Sequence, residues 1–239
     1  MANLLNYQLQ TSRLLGNPSG VPEGYLLSDI TQYINIARDQ IASKSRLVQV
    51  TISFSTTSNK QAYSLPNIPT NTQGISQIID IQSVLWPSGT GFIYLTPRSW
   101  EWFRTYNLNT ATQSTGDPKE WTQYGPGANG ALYLSPVPSV ITTLVLDSIC
   151  QPMALGPTND AEAIPYPWTE AIPYFAAYLT LLGSERHEEA MNMFEEYLKF
   201  EKVAELAGRP SAPPSVFDES ASLMTQNKLG MVHKQKVGE

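Results

Sequence analysis

SDITQYINIARDQIASKSRLVQVTISF, residues 28–54, is the segment that decides the fold, because its hydrophobic period changes halfway along. In its first part apolar residues recur every three or four positions, which predicts an amphipathic helix capped by Ser28; they are Ile30, Tyr33, Ile34, Ala37 and Ile41. From Val48 to Phe54 apolar and polar residues alternate, which predicts a half-buried antiparallel strand. The chain therefore passes at Arg46 from helical to β structure.

The segments that follow Phe54 repeat the strand pattern between turns rich in proline and glycine. The predicted strands are Ile75 to Trp86, Gly91 to Leu95, Trp121 to Tyr124, Ala131 to Leu134, and Ile141 to Ile149. One short helix interrupts them, with Thr96 as its cap, Pro97 at its first position, and Trp100 and Phe103 facing inward.

Helical patterns stand on both sides of these strands. A short helix is predicted before them, from Leu4 to Leu15. After Ile164 an apolar stripe of Trp168, Ile172, Phe175, Leu179 and Leu182 predicts a third helix, whose start Pro173 bends or delays. A fourth helix is expected from Ser184 to Ala207, where Gly208 ends it.

These elements predict an α+β fold, a helical bundle with an inserted antiparallel β-sandwich or barrel-like domain and an extended C-terminal tail. The expected divisions are residues 1–45 for the N-terminal helices, 46–153 for the β domain, 154–209 for the C-terminal helices and 210–239 for the tail. Neither set of helices can bury its apolar stripe alone, so the two sets are expected to pack together.

Composition excludes several classes of function. Charged residues make up 15% of the 239 residues, against roughly 25% in an average soluble domain. The formal net charge is −6, which argues against a protein that neutralises nucleic-acid phosphates. No apolar run approaches the roughly 18 residues of a membrane span. One cysteine and two histidines leave little for disulfides, metal sites or acid–base catalysis.

Two sequence motifs have plain structural explanations. Residues 125–130, GPGANG, match the G-x-G-x-x-G pattern, but a strand rather than a helix follows, so we expect a wide hairpin loop and no nucleotide site. His187 has Glu185, Glu188 and Glu189 as neighbours but no second histidine at metal-ligand spacing, so an acidic first helical turn is expected.

No catalytic, cofactor-binding or metal-binding residue is predicted, and the chain is not expected to be an enzyme. Cys150 is predicted to be a small buried apolar residue, because a nucleophilic cysteine would need a histidine partner. The carboxylate pairs Asp160/Glu162 and Asp218/Glu219 are expected to be solvated, since a general acid requires a perturbed environment. A hydrolase whose acidic pair escapes this reasoning remains open.

Aromatic residues are concentrated in the β segments and allow two interpretations. They are Trp86, Trp100, Trp102, Trp121, Tyr124 and Tyr133. They could stack on sugars or bases, or fill the core and the contacts between subunits. We favour the second interpretation, because stacking platforms for nucleic acid lie in basic grooves and Lys60, Arg98 and Arg104 are too few and scattered to form one.

The last 30 residues show no periodic stripe and are expected to become ordered only on a partner. Apolar residues are spaced along them as separate anchors, and lysines could pair with an acidic surface. The predicted partner-binding residues are Val216, Phe217, Leu223, Met224, Leu229, Met231, Val232, Lys234 and Lys236.

Four segments together resemble the head-to-tail adaptor proteins of tailed bacteriophages, also called connectors, tail tubular protein A-like or gatekeeper-type adaptors. The segments are Tyr25 to Ala42, Pro97 to Tyr106, Trp121 with Leu132 to Pro138, and Ile164 to Leu179. The resemblance covers nearly the whole chain and rests on structural rather than catalytic residues.

The resemblance implies a structural virion protein, made in the host bacterial cytoplasm, that forms a ring of twelve copies between the portal and the tail. Its expected partners are other copies of itself, the portal protein and a tail or nozzle protein. The C-terminal residues from Val216 to Lys236 named above would then bind the portal. DNA would pass through its channel without specific binding; no cofactor and no membrane contact are expected. The alternative is a receptor- or carbohydrate-binding tail protein that uses the aromatic β domain.

Overall fold

The protein is represented by a computed structural model in which residues 3–17, 24–68, 74–108, 114–156 and 161–207 are described. The helices are α1 (Leu4–Leu14), α2 (Leu27–Ser45), α3 (Trp100–Tyr106), α4 (Ile172–Gly183) and α5 (His187–Ala207). The strands are β1 (Gln49–Ser55), β2 (Ala62–Ser64), β3 (Ile75–Ser88), β4 (Gly91–Tyr94), β5 (Thr96–Pro97), β6 (Thr115–Gly116), β7 (Glu120–Tyr124), β8 (Ala131–Ser135), β9 (Val137–Pro138) and β10 (Thr143–Pro152).

The change from helix to strand falls where the sequence predicts it. Arg46 ends α2 in the left-handed conformation, with φ at 57°, and its N–H donates to the Ala42 carbonyl. Its guanidinium then pairs with Asp80 of β3, which ties the helix end to the sheet. The predicted cap is wrong, because α2 begins at Leu27 and Ser28 donates to the Asp29 carboxylate instead of accepting from a backbone N–H.

The strands form two four-stranded sheets, in the orders β1-β10-β3-β4 and β2-β8-β7-β5, and a two-stranded sheet of β6 and β9. The α+β class is therefore confirmed, and none of the sheets in the described ranges closes into a barrel. The expectation of purely antiparallel pairing is wrong at two places, because β5 pairs with β7 and β6 with β9 in parallel. These two-residue strands are stretches of loop, which no alternating pattern marks.

Strand β3 is bulged, and the bulges link the two larger sheets. Its pairing with β10 shifts register at three points. At one of them Gln123 of β7 uses its amide oxygen to accept from the Ile81 N–H at 2.8 Å, and its amide nitrogen donates to the Ile79 carbonyl at 3.1 Å. A side chain of one sheet thus satisfies backbone groups that the other sheet leaves unpaired.

The helices pack against one another around α4, which contacts α1, α2 and α5. On α2 the side chains of Ile30, Ile34 and Ile41 are fully buried, as the apolar stripe predicts. On α4 the buried face differs from the predicted apolar stripe at the C-terminal end. The stripe was expected to include Leu182, but Leu182 is exposed and Leu181 is buried instead. One continuous apolar cluster includes buried side chains of both the helices and the sheets.

Three predicted helix boundaries are corrected. Helix α3 is capped by Ser99, whose hydroxyl accepts from the Trp102 N–H, and not by Thr96, which lies in β5. Helix α5 begins at His187 rather than at Ser184. Trp168 opens a 3-10 turn ahead of α4, so it lies outside the helix whose stripe it was expected to share.

Candidate functional site

A buried ion pair joins helix α2 to the segment that precedes α4. The Arg38 guanidinium donates to the Glu162 carboxylate from Nε at 3.0 Å and from Nη2 at 2.9 Å. Only 1% of the Arg38 side chain and 6% of the Glu162 side chain are exposed. Buried charges are tolerated when they are paired and hydrogen-bonded, and this pair meets both conditions.

The Glu162 carboxylate also binds helix α1. It accepts a hydrogen bond from the Tyr7 phenol at 2.6 Å and another from the Ile164 N–H at 2.9 Å. Burial, and then the nearby Glu162 charge, raises the pKa of the Tyr7 phenol well above its ordinary value, so the phenol remains a donor. The expectation of a solvated Glu162 is therefore wrong, while Asp160, Asp218 and Glu219 lie outside the described residues.

The same part of α2 holds the chain as it returns from the sheets. Asn35 accepts from the Leu155 N–H at 2.8 Å and donates to the Leu155 carbonyl at 3.1 Å. Arg38 Nη1 donates to the Met153 carbonyl at 2.8 Å. The polar side chains of α2 therefore hold Met153 and Leu155 on one side, and Glu162 on the other, of the passage from β10 to the later helices.

A second buried carboxylate lies between α2 and α5. Glu201 accepts from the Tyr197 phenol at 2.8 Å and pairs with Lys44 at 2.9 Å. Burial, followed by the hydrogen bond to Glu201, raises the pKa of Tyr197 well above its ordinary value. Each buried carboxylate thus has at least one donor on a separate helix, Arg38 and Tyr7 for Glu162 and Lys44 for Glu201, an arrangement that positions helices.

Neither carboxylate has the setting of a catalytic acid. A general acid needs a carboxyl that stays protonated next to a substrate. Glu162 does line an open cleft of about 600 Å³ beside α1, but its oxygens already accept from Arg38, Tyr7 and Ile164. The chemistry that this geometry supports is the fixing of helix positions.

The structure also shows the other residues for which the sequence predicted no functional site. Residues 125–130 form the connection between the antiparallel strands β7 and β8, with one 3-10 turn, as the hairpin interpretation predicts. His187 is the first residue of α5. Among the described residues, no three His, Cys, Asp or Glu side chains are grouped to hold a metal ion. Cys150 is fully buried, and burial raises the pKa of its thiol to about 11.

The aromatic residues of the β segments divide into two groups. Trp86 and Trp121 are buried in the core, as the packing interpretation predicts. Trp100 lies 4.5 Å from Tyr124 and 5.0 Å from Tyr133 between ring centroids, and this group is only half-buried. Beside it Arg98 stacks on Trp102 and pairs with Glu120, so its charge is already partnered.

The most exposed apolar surface of the β segments is strand β4. Phe92, Ile93 and Tyr94 are consecutive, and the exposed fractions are 56%, 46% and 72%. β4 is the outer strand of its sheet, so exposed side chains and an open backbone edge coincide there. Exposed apolar surface of this kind marks sites of contact with other chains. The alternating pattern predicted this strand, but not its position at an edge.

The predicted portal-binding residues, from Val216 to Lys236, lie outside the described residues. In the described part of the chain, no helix is both long enough and apolar enough to cross a lipid bilayer. The buried ion pair is the feature that sequence reasoning missed. Its signal was available in Arg38, which lies four residues after Ile34 and three before Ile41, on the apolar face of α2.

The described residues thus provide fixed helices, two buried carboxylates whose oxygens already accept hydrogen bonds or ion pairs, and an exposed apolar strand at a sheet edge. A model of the SU10 adaptor protein family matches residues 3–213. The chain belongs to this family, and is accordingly a phage adaptor protein, a structural component of the virion that contacts other virion components. No curated protein matches the chain closely enough to count as a relative.

Proposed function

We propose that this chain forms the head-to-tail adaptor, a gatekeeper-type ring of twelve copies between the portal and the tail that extends the DNA channel and docks the tail. The observation that carries the proposal is the family match over residues 3–213. The low content of charged residues and the exposed apolar edge of β4 support it, since both are typical of chains with much surface in contact. The net charge of −6 suits a channel through which DNA slides without binding.

Within this proposal the helices, as one bundle, face the portal, and the β segments, as a sandwich-like insertion of residues 46–153, face the tail. Loops can reshape for a partner, and long connections such as residues 107–119 belong to the insertion. Deleting residues 110–115 should leave rings on the head and reduce tail attachment. Failure of the rings to form would contradict this orientation.

The tail, residues 210–239, is proposed to dock in a groove between portal subunits, with anchors such as Phe217 and charges such as Lys234 and Lys236. The support is its composition, which cannot bury enough apolar surface to fold alone. The family match ends at residue 213, before the first of these anchors.

Two variants test the proposed portal contact. Truncation after Gly208 should leave a folded protein that no longer binds isolated portal rings in sedimentation. Phe217→Asp in the full chain should weaken the same binding at least tenfold, whereas Ser211→Asp, a matched charge ahead of the anchors, should not. Unchanged binding by the truncated chain would refute the tail's role.

A test of the whole proposal is electron microscopy of virions that carry an epitope tag on this chain. A tagged ring at the portal vertex is expected. Label on peripheral spikes would instead support the second candidate, a receptor- or carbohydrate-binding tail protein, which the half-buried group of Trp100, Tyr124 and Tyr133 favours. Glycan binding lost in Trp100→Ala, without rings, would establish that alternative.

A further inference from the structure

The sheet in the order β1-β10-β3-β4 has two outer strands, and neither pairs with another strand in the described part of the chain. Their sequences are QVTISFS in β1 and GFIY in β4, and neither contains a charged residue or a proline. Proteins that stay monomeric protect such edges with charges, prolines or covering elements. Two uncharged edges on one sheet therefore indicate edges that are completed by other chains.

The directions of the two edges fit each other. Each neighbouring pair in this sheet, β1 with β10, β10 with β3 and β3 with β4, is antiparallel. Three reversals leave β4 running opposite to β1. A second copy placed beside the first in the same orientation would therefore bring its β1 antiparallel to β4, which is the more stable pairing and continues the alternation of the sheet.

Hydrogen bonds just beyond β4 show which of its backbone groups point outward. The Leu95 N–H donates to the Val84 carbonyl at 2.9 Å, which makes these two residues a hydrogen-bonded pair. Such pairs alternate along an antiparallel ladder, so Ile93 bonds inward to β3. The N–H and C=O groups of Phe92 and Tyr94 therefore point to the free edge.

The same argument applies to β1. The Cys150 N–H donates to the Val48 carbonyl at 2.9 Å, and the Thr56 N–H donates to the Thr142 carbonyl at 2.8 Å. The residues that flank β1 in these two bonds, Val48 and Thr56, are both even-numbered. Hydrogen-bonded pairs alternate along the ladder, so the even-numbered residues of β1 bond to β10. The odd positions Thr51, Ser53 and Ser55 point their backbone groups outward and have exposed side chains, whereas the Gln49 N–H already donates to the Leu47 carbonyl.

Register links the two edges. Ser53 pairs with Val145, Val145 with Leu85, and Leu85 with Tyr94, so Ser53 and Tyr94 lie in one row across the sheet. Both have outward backbone groups and side chains on the same face. A second copy can be placed beside the first so that its own row of paired residues continues this one. Tyr94 of the first copy would then form a hydrogen-bonded pair with Ser53 of the second, and Phe92 would pair with Ser55.

Apolar surface is present at the same level of the neighbouring copy. Ser55 pairs with Thr143, and two residues before Thr143 lies Ile141, which is exposed together with Val140. Strands are about 4.8 Å apart, so β4 would lie about 10 Å from the β10 of the next copy. Ile141 lies a further two residues along the chain, so Phe92 would lie roughly 12 Å from it between Cα atoms, on the same side of the continued sheet.

We propose that β4 of one copy pairs with β1 of the next, so that the sheet continues from subunit to subunit. The interface is heterologous, because a different edge is used on each side, and interfaces of this type form a ring when the rotation from copy to copy closes. The inference rests on the proposed ring and names the contact that builds it.

Cysteine pairs test the contact in virions in which the variant replaces the natural chain. With Ser53→Cys and Tyr94→Cys together, mild oxidation should produce a ladder of disulfide-linked multimers. Within one copy the two positions are three strand spacings, about 14 Å, apart, beyond the reach of a disulfide of roughly 7 Å between Cα atoms. The natural Cys150 is buried and should not contribute.

The matched control is Ser53→Cys with Ile93→Cys, since the Ile93 side chain lies on the opposite face, and it should give no ladder. Dimers from Tyr94→Cys alone would show β4 pairing with itself and overturn the proposal. Rings at the vertex without a ladder in the double variant would also overturn it while leaving the adaptor function intact. Absence of the chain from the vertex would instead refute the proposed function.

A second pair of variants decides the matter if the cysteine chain fails to assemble. Tyr94→Pro removes an outward N–H that the single copy does not use, so the chain should remain folded by circular dichroism but lose incorporation into virions at least tenfold. Tyr94→Phe keeps the N–H and the ring and should incorporate normally. Normal incorporation of Tyr94→Pro would contradict the pairing.

Discussion

The helices and the sheets of this protein differ in where their charged groups lie. Among the described residues, the buried charged residues Arg38 and Glu201 belong to helices, and the side chain of Glu162, which pairs with Arg38, is at least as buried as that of Glu201. The outer strands of the β1-β10-β3-β4 sheet instead have uncharged edges, with exposed polar side chains on β1 and exposed apolar side chains on β4. The comparison teaches that buried ion pairs within the chain fix the packing of the helices, whereas the edges of this sheet are available for pairing with other chains.

The largest expected effect comes from breaking the buried charge pair. Glu162→Ala leaves Arg38 buried without its partner, and breaking such a pair costs about 3–5 kcal/mol. Urea denaturation would measure the loss. Glu170→Ala, an exposed carboxylate on the neighbouring turn, should change the free energy of unfolding by less than about 0.5 kcal/mol.

The double variant Arg38→Met with Glu162→Leu sharpens this test. Replacing a buried pair by apolar residues is often neutral or stabilising, so it should recover most of the loss. A Glu162→Ala chain as stable as the natural one would show that the pair does not hold the helices.

Next in size is the removal of one aromatic ring from each region. Phe175→Ala empties a site where Tyr197 lies 4.7 Å away between ring centroids, and it should cost roughly 3 kcal/mol, the low end for such a deletion. Phe92→Ala on β4 should cost the isolated chain less than about 0.5 kcal/mol, because the side chain is exposed. Thermal melting of both variants measures the two losses of stability. Equal losses would contradict the expected difference between the helical core and β4.

A smaller effect is expected from the thiol buried in the sheet. The folded chain holds the Cys150 proton up to a pKa of about 11, against an ordinary 9.0. The resulting stabilisation is complete below pH 9 and is lost as pH rises towards 11. Between pH 8 and 10 the loss should be about 1 kcal/mol. The Tyr7 and Tyr197 phenols also lower the stability over the same range in both chains, because their pKa values are raised too. Denaturation at both pH values should therefore show a loss that is about 1 kcal/mol larger in the natural chain than in Cys150→Ala.

The smallest effect distinguishes a true helix cap from a false one. The Asn3 side chain accepts from the Asn6 N–H at 2.9 Å, so Asn3→Ala should cost about 0.5–1 kcal/mol. Ser28 makes no such bond to the backbone of α2, and Ser28→Ala should be close to neutral. Melting temperatures of the two variants provide the measurement, and a larger loss at Ser28 would restore it as the cap.

The periodic parts of the fold could be predicted, and the paired parts could not. The shift from a period of 3.6 to alternation at Arg46 located both α2 and β1, because each element shows its burial in its own residues. The two-residue strands β5, β6 and β9 have no period to detect. Their pairing depends on loops brought together by the finished sheet.

The buried ion pair between Arg38 and Glu162 could not be predicted, for a different reason. Arg38 and Glu162 are 124 positions apart, and a carboxylate in a loop looks the same in sequence whether it is solvated or buried. An arginine on an apolar helix face could have shown that a partner exists, though not which residue it is. The free edges are likewise a property of strand order, which no single segment encodes.

The position of α2 in the chain also has a consequence for synthesis. Its buried residues Ile30, Ile34 and Ile41 pack with α4, which begins only at Ile172, roughly 130 residues later. A ribosome that adds 5–20 residues per second needs about 7–26 seconds to make that stretch. During this interval the apolar face of α2 has no α4 to cover it, so the nascent chain is exposed to aggregation until α4 emerges, and chaperone binding should be strongest in that window.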